Sequence, residues 1–436
     1  MDERTLAALL REHASRHAVP GAALGILHDG AATSATYGVA DVATGEPVIP
    51  ETRFATGSLT KPMVATVIAR LAAEGRLSLD DPASRHLPTL RASGWADQAT
   101  VRDLLANRSG LPLSSALAFG FDDHPDGDDG ALTRLCAEVP ADAPTTDFWS
   151  YSNVGWCLLG RVIETTTGGT WEDAMRRYLL DATGMSRTTF ASASDRKGRA
   201  SGYEVTPGGA VRVESEVGRA YGPAGTTIVS TVPDLLRFGA LHLQDPSLAA
   251  LRAVHADVSI YGWLDSWCLG WARYDWGGAQ VWGWDGLIGG ERSVLRILPE
   301  IQAAIVVMAN GSTGRAMSRS LFADLLPQEF GVNVPPLRLE PAPVGAAGLS
   351  RFAGLYAWPD WRVQVTATPS GLLIERAEGD IEARPLDNRV FLTDPSDPDN
   401  PTVTFGEFDA AGRPRVLYLM LWGLPRTSRA GRDVAP

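Results

Sequence analysis

Lysine is nearly absent from this chain. Of 39 basic residues among 436, only Lys61 and Lys197 are lysines and the other 37 are arginines. Arginine keeps its proton in any protein environment, whereas a buried lysine can lose it and act as a base, so a lysine in such a background is a candidate for chemistry. Cysteine is scarce as well. Cys136, Cys157 and Cys268 are widely separated, lack metal-ligand spacing and cannot all pair, which argues against a disulfide scaffold and suits core thiols in a reducing cytoplasm. Positive charge is in deficit: a net charge of −12 disfavours nucleic acid or an anionic membrane as the main partner. Long apolar runs are missing too. The nearest, Ala303 to Met308, falls far short of the ~18 residues of a membrane span. The opening Met1-Asp2-Glu3-Arg4-Thr5-Leu6 is acidic and then amphipathic, without a basic segment leading into an apolar one or a cleavage site, so a soluble cytoplasmic protein is expected.

Each lysine lies three residues after a serine, and context separates the two pairs. Ser194-Asp195-Arg196-Lys197 sits in a polar, glycine-containing stretch that reads as a loop and cannot bury a neutral lysine. Ser58-Leu59-Thr60-Lys61 opens an apolar helix that continues through Pro62-Met63-Val64-Ala65-Thr66-Val67-Ile68 to about Gly75. Residues three apart share a helix face, so the Ser58 hydroxyl and Lys61 amine can meet, and the helix start directs backbone N–H groups toward the serine oxygen. A serine nucleophile with a lysine base is the chemistry this spacing supports.

Strand and helix patterns place that pair in a larger frame. Leu6, Leu9 and Leu10 mark an N-terminal helix ending near Val19-Pro20-Gly21. Ala22–Leu27 and Ala31–Tyr37 then form a hairpin across His28-Asp29-Gly30. Thr100–Leu105 and the capped segment from Thr231 read as helices. Strand patterns return near Val281-Trp282-Gly283, Ser293–Leu298 and Ala303–Met308, so the sheet is made from both ends of the domain. Residues 1–333 thus read as one mixed α/β (α+β) domain, and residues 334–347 as a proline-rich linker. Residues 348–436 read as a small antiparallel β-barrel of short strands separated by Gly, Pro, Asp and Asn.

Further signals follow Ser58 in order. Tyr151-Ser152-Asn153 can project a tyrosine and an asparagine from one loop into a cleft. Gly283-Trp284-Asp285-Gly286, with Gly289-Gly290 after it, would let an edge strand pass close to a substrate. The Leu287 N–H would then form an oxyanion hole with that of Ser58. None of the seven histidines falls in these segments, which disfavours a Ser-His-Asp triad and leaves the histidines as surface or packing residues.

At this point the chain resembles the serine β-lactamase and penicillin-binding-protein superfamily, especially its esterase and D-peptidase branch, over roughly residues 5 to 330. The resemblance rests on Val19–Ala23, Phe54–Lys61, Leu104–Pro112, Tyr151-Ser152-Asn153 and Pro223–Thr227. It implies a β-lactamase/D,D-peptidase-like domain with a central antiparallel sheet flanked by helices, followed by a lipocalin-like barrel. It also implies that Ser58 is acylated, that Lys61 and Tyr151 share the proton transfers, and that Asn153 holds the substrate amide, with no metal or cofactor. Where relatives usually carry Lys-Thr-Gly or His-Thr-Gly, this chain has Trp284-Asp285-Gly286. Loss of that cation, which helps recognise the carboxylate of penicillins, weakens a β-lactamase assignment. In its place Trp284 is expected to form an apolar wall and Asp285 to attract an ammonium group.

Within the superfamily the chain looks most like the penicillin-binding-protein-type thioesterases. The ending Leu417–Arg426 resembles theirs, and Arg426 is expected to reach over the cleft to a substrate carbonyl group. That resemblance implies a peptidyl thioester substrate, carried on a nonribosomal peptide synthetase carrier protein and released by head-to-tail macrolactamisation. A cytoplasmic esterase or D-amino-acid amidase of the same fold, with water as acceptor, is the alternative. A catalytically silent ligand-binding protein is a third reading.

Overall fold

Two apolar runs far apart in the sequence lie side by side. Gly21–His28 pairs antiparallel with Ala303–Ala309, from Ala22 opposite Ala309 to His28 opposite Ala303. The computed structural model describes residues 1–90, 94–111, 148–191, 197–213, 218–342, 346–358, 361–395, 397 and 399–427. Cys136, Ser194 and part of the proline-rich stretch lie outside the described residues. The central sheet has eight antiparallel strands. In spatial order they are Glu46–Pro47, Ala31–Asp41, Gly21–His28, Ala303–Ala309, Glu291–Leu298, Ala279–Ile288, Ala272–Trp276 and Ser266–Trp267. The hairpin between the first two long strands turns on Asp29 and Gly30, both at positive φ, as expected of an Asp-Gly turn.

Helices cover both faces. Glu3–Arg16, capped by the Asp2 side chain, and Gly314–Phe330 lie on one. Val232–Gln244 lies on the other, where Gly25 and Gly239 leave room for Val232, Leu236 and Ala304. The helix after Ser58, Thr60–Ala73, is apolar around most of its circumference and buried accordingly. Asn153–Thr167 packs against it, capped by the Ser152 hydroxyl and ended by Gly168 in the left-handed region. Cys157 and Cys268 are both fully buried, as expected of core thiols.

Eight strands from Gly354–Trp358 to Trp422–Thr427 close into a barrel, the first pairing with the last through Leu355–Thr427 and Tyr356–Arg426. Burial alternates along Trp361–Ala367, Leu372–Glu375 and Ile381–Pro385, and Phe352, Tyr356, Phe391 and Phe405 fill the interior. Among the described residues no helix is long and apolar enough to cross a membrane.

Candidate active site

Ser58 does not begin the α-helix. It lies in a single 3₁₀ turn, Gly57–Leu59, and the α-helix starts at Thr60. The tighter turn leaves Ser58 partly exposed, while Lys61 is fully buried one turn on. The Lys61 Nζ lies 3.0 Å from the Ser58 Oγ and donates to the Ala224 carbonyl. Burial lowers the Lys61 pKa from 10.5 to about 7, with Cys157 pulling weakly the other way. Lys197, by contrast, is exposed.

Backbone contacts set the turn. Gly57 has φ +53°, and a Cβ there would stand 2.6 Å from the Leu287 nitrogen. One on Gly286 would stand 1.8 Å from the Thr56 carbonyl oxygen, and one on Gly225 would stand 2.8 Å from the Ser58 nitrogen. Three glycines therefore bring the Ser58 turn, the Leu287 strand and the Ala224 loop into backbone contact. The free edge that this requires exists because the neighbouring strand pairs only as far as Gly283, leaving Trp284–Ile288 open on that side. Ala55, three residues before Ser58, is clamped by the same region. Its N–H donates to Glu291 Oε2 at 2.8 Å, and its carbonyl accepts from Ser293 Oγ at 2.7 Å. Ser58 and Leu287 thus lie on closely packed backbones, both partly exposed.

Tyr151 completes the centre. Its hydroxyl shares a hydrogen bond with Ser58 and accepts one from Trp284 Nε1 at 3.1 Å, and burial pushes its pKa far above the usual phenol value. The Lys61 Nζ stands 4.9 Å from the centre of its ring. Two distant segments hold the tyrosine in place. Asn107, at positive φ, accepts from Ser150 N–H through its carbonyl and from Trp156 Nε1 through its side chain. From the barrel, the Leu421 carbonyl accepts the Tyr151 N–H at 3.0 Å, and Gly423 N–H donates to Ser150 Oγ at 3.1 Å. Asn153, at the helix start and partly exposed, shares a hydrogen bond with Tyr221, while its Oδ1 is buried without a partner.

Four expected substrate-binding residues require correction. Trp284 is 1% exposed, so it is no open wall of a cleft but a buried support whose indole N–H goes to Tyr151. Asp285, its neighbour on the strand, points to the opposite face. There Arg296 at 2.7 Å and Arg315 at 3.2 Å neutralise it, so it is not free to attract an ammonium group. Gly286 makes its close approach to the Thr56 carbonyl rather than to a substrate. Arg426 donates to the Arg351 and Ala353 carbonyls and so ties the barrel to its own first segment.

The sequence pattern did not reveal the roles of Trp284, Tyr221, Glu291 or Leu421 in this site. Ala224 lay within a recognised segment, although its contact with Lys61 could not be read there. Among the described residues no histidine is bonded to Ser58: buried His242 bonds Thr66, and His13 and His17 both bond Ser320. Among the described residues no cluster of three or more His, Cys, Asp or Glu could hold a metal ion.

Comparison with known proteins agrees with this geometry. Penicillin-binding protein 4 of Amycolatopsis lactamdurans is 31% identical over 369 residues, covering 78% of this chain and 94% of the relative. A β-lactamase of Pseudomonas fluorescens is 27% identical over 59% of this chain and 70% of its own. Among solved structures, SurE superimposes with a TM-score of 0.80 at 29% identity, covering 98% of this chain and 99% of SurE, and a second SurE structure contains D-Leu. The β-lactamase family model matches residues 6–326. With its Ser58–Lys61–Tyr151 centre and its antiparallel sheet flanked by helices, the chain belongs to the β-lactamase family, within the superfamily of serine β-lactamases and penicillin-binding proteins.

Proposed function

We propose that this protein is a trans-acting thioesterase that takes a peptidyl group from a carrier-protein thioester onto Ser58 and releases it by head-to-tail macrolactamisation. The observation that carries the reading is the 3.0 Å contact between Ser58 Oγ and a buried Lys61 whose pKa is lowered to about 7. Such a lysine is substantially neutral at physiological pH and can accept the serine proton. Tyr151, with its pKa raised, stays protonated and orients the serine oxygen, so Lys61 is the principal base.

Ser58 Oγ attacks the thioester carbonyl as its proton passes to Lys61. The Ser58 and Leu287 N–H groups meet the oxyanion, and the carrier thiol leaves with the proton from Lys61. The peptide's own N-terminal amine then attacks the ester and gives a proton to Lys61, which returns it to Ser58 Oγ as the C–O bond breaks. The unpartnered Asn153 Oδ1 accepts a substrate amide N–H. Support for a peptidyl substrate comes from the end-to-end likeness to SurE, barrel included, and from the presence of D-Leu in one SurE structure. The uncharged Trp284 where relatives usually carry a cation fits a substrate other than penicillin. A nonribosomal peptide synthetase carrier protein is the partner that this reading requires.

Release to water, as an esterase or D-amino-acid amidase, is the second reading, favoured by the relative named a β-lactamase. Mass spectrometry of products from linear peptidyl thioesters with D- and L-residues at each end separates the two. Ser58-dependent loss of the thiol without added water is expected. Linear acid alone across the panel would establish the hydrolase reading, and products unchanged in Ser58→Ala would remove Ser58 from either.

A further inference from the structure

On the sheet face turned away from Ser58 lies a partly open cavity of about 180 Å³. It is walled by the Ser259–Asp265 loop, Tyr274 and Trp276, the Gly314–Phe330 helix and the Val334–Leu337 segment. Its inner end is cationic. Arg296 and Arg315 share one carboxylate, Asp285, so two guanidiniums are answered by a single negative charge. Arg319, one helical turn beyond Arg315, adds a third. It donates to the Gly262 carbonyl at 2.9 Å and has no ion-pair partner among the described residues.

Three buried polar atoms at this end lack hydrogen-bond partners, the Tyr274 hydroxyl, the Arg296 Nε and the Asp285 Oδ1, the last held by its ion pair with Arg296, and Tyr274 is 6% exposed. A buried donor left unmet is costly, and here a hydroxyl and a guanidinium N–H remain unmet among three guanidiniums. The remaining wall is largely apolar, from Ile260, Trp263, Phe322 and Leu337, with Arg315 stacked 3.6 Å over Trp263. Asp265 and Asp275 also line the wall, and Asp265 accepts the Asp275 N–H at 2.8 Å.

We propose that this cavity is a second ligand site, which takes a small carboxylate with an apolar body. The carboxylate faces Arg319, the Arg296 Nε and the Tyr274 hydroxyl, and the hydrocarbon lies against Ile260, Trp263 and Phe322. Guanidinium forks match a planar carboxylate, and apolar walls of this extent favour an organic acid over an inorganic anion. The site is separate from the acyl-transfer centre, because strand alternation puts Asp285 and Arg296 on the face opposite Trp284.

Equilibrium dialysis with radiolabelled phenylacetate tests the proposal, on protein whose Ser58 has first been capped with a phosphonate so that the catalytic mouth is blocked. One saturable site per chain is expected, with phenylacetamide at least tenfold weaker as a competitor. Arg319→Met should weaken phenylacetate binding at least tenfold while Ser58 still labels at the wild-type rate. Absence of saturable binding, equal competition by the amide, or undiminished binding to the variant would overturn it. The acid–amide comparison on the wild-type chain decides the matter even if the variant does not fold.

Discussion

Reaction at Ser58 should follow the titration of Lys61. Lowering that pKa from 10.5 to about 7 corresponds to about 5 kcal/mol against the charged form, at roughly 1.4 kcal/mol per pH unit, and burial is the principal cause. With a pKa of about 7, roughly one lysine in a hundred is neutral at pH 5, about half at pH 7 and nearly all at pH 9. The second-order rate of labelling by a fluorescent phosphonate should therefore climb about tenfold per pH unit below 7 and level off above it. Lys61→Met and Lys61→Arg should each lose about 10²- to 10⁴-fold on the plateau, because neither side chain accepts a proton there. A rate flat from pH 5 to 9, or a single rise centred near 10, would refute the reasoning. Stability provides a second readout. The unfolded chain holds the lysine proton up to about pH 10.5 and the folded chain only to about 7, so stability climbs with pH across that window and is lost as pH falls through 7. Lys61→Met should accordingly raise the unfolding midpoint most below pH 7 and least above 10.

Trp284→Phe keeps the ring but removes the N–H to Tyr151; it should slow labelling by about tenfold with little change in thermal midpoint, and an unchanged rate would mean that Ser58 and Leu421 alone suffice to hold the tyrosine. Asp285→Asn should cost about 3–5 kcal/mol in urea unfolding, because Arg296 and Arg315 lose their shared countercharge. If Asp285 instead bound a substrate ammonium, KM for amine-bearing thioesters would rise with the unfolding midpoint unchanged. Glu291, buried beside Ala55, has its pKa raised to about 7, so the folded chain keeps a proton that the unfolded chain sheds near 4.5, and stability falls between those values as pH rises. Thermal melts should show Glu291→Gln gaining on wild type at pH 8 but not at pH 4, and an equal offset at both would contradict this.

Elements that depend on local pattern were legible in the sequence. The Asp-Gly hairpin, the helix after Ser58, the short helix at Thr100, the Thr231 cap and the barrel strands all announce themselves within a few residues through turn chemistry and periodicity. Ser58 and Lys61 were legible for the same reason, since their meeting needs only three-residue spacing on a helical turn. Contacts between distant segments were not. Trp284 and Tyr151 are 133 residues apart, and the Leu421 carbonyl reaches Tyr151 from the barrel, so no local window contains either relationship. The 3₁₀ turn at Ser58 was hidden for a related reason. Its shape is set by Gly225 and Gly286 pressing on the backbone from elsewhere in the chain.

The misplacement of Asp285 has a more specific cause. Trp284 and Asp285 are adjacent in an extended strand, so they cannot both face one cleft, and assigning the tryptophan to the site already sends the aspartate to the other side. That alternation divides the strand's work. One face supplies Trp284 to Tyr151, the other carries the Arg296–Asp285–Arg315 group, and the backbone between them offers the Leu287 N–H beside Ser58. An uncharged tryptophan at position 284 also bears on Lys61. A second buried cation beside Tyr151 would depress the Lys61 pKa by repulsion, whereas the indole gives Tyr151 a fixed donor without adding charge. Burial is left as the main cause of a neutral Lys61, so its capacity as a base rests on the packing of the helix around it rather than on a charged neighbour.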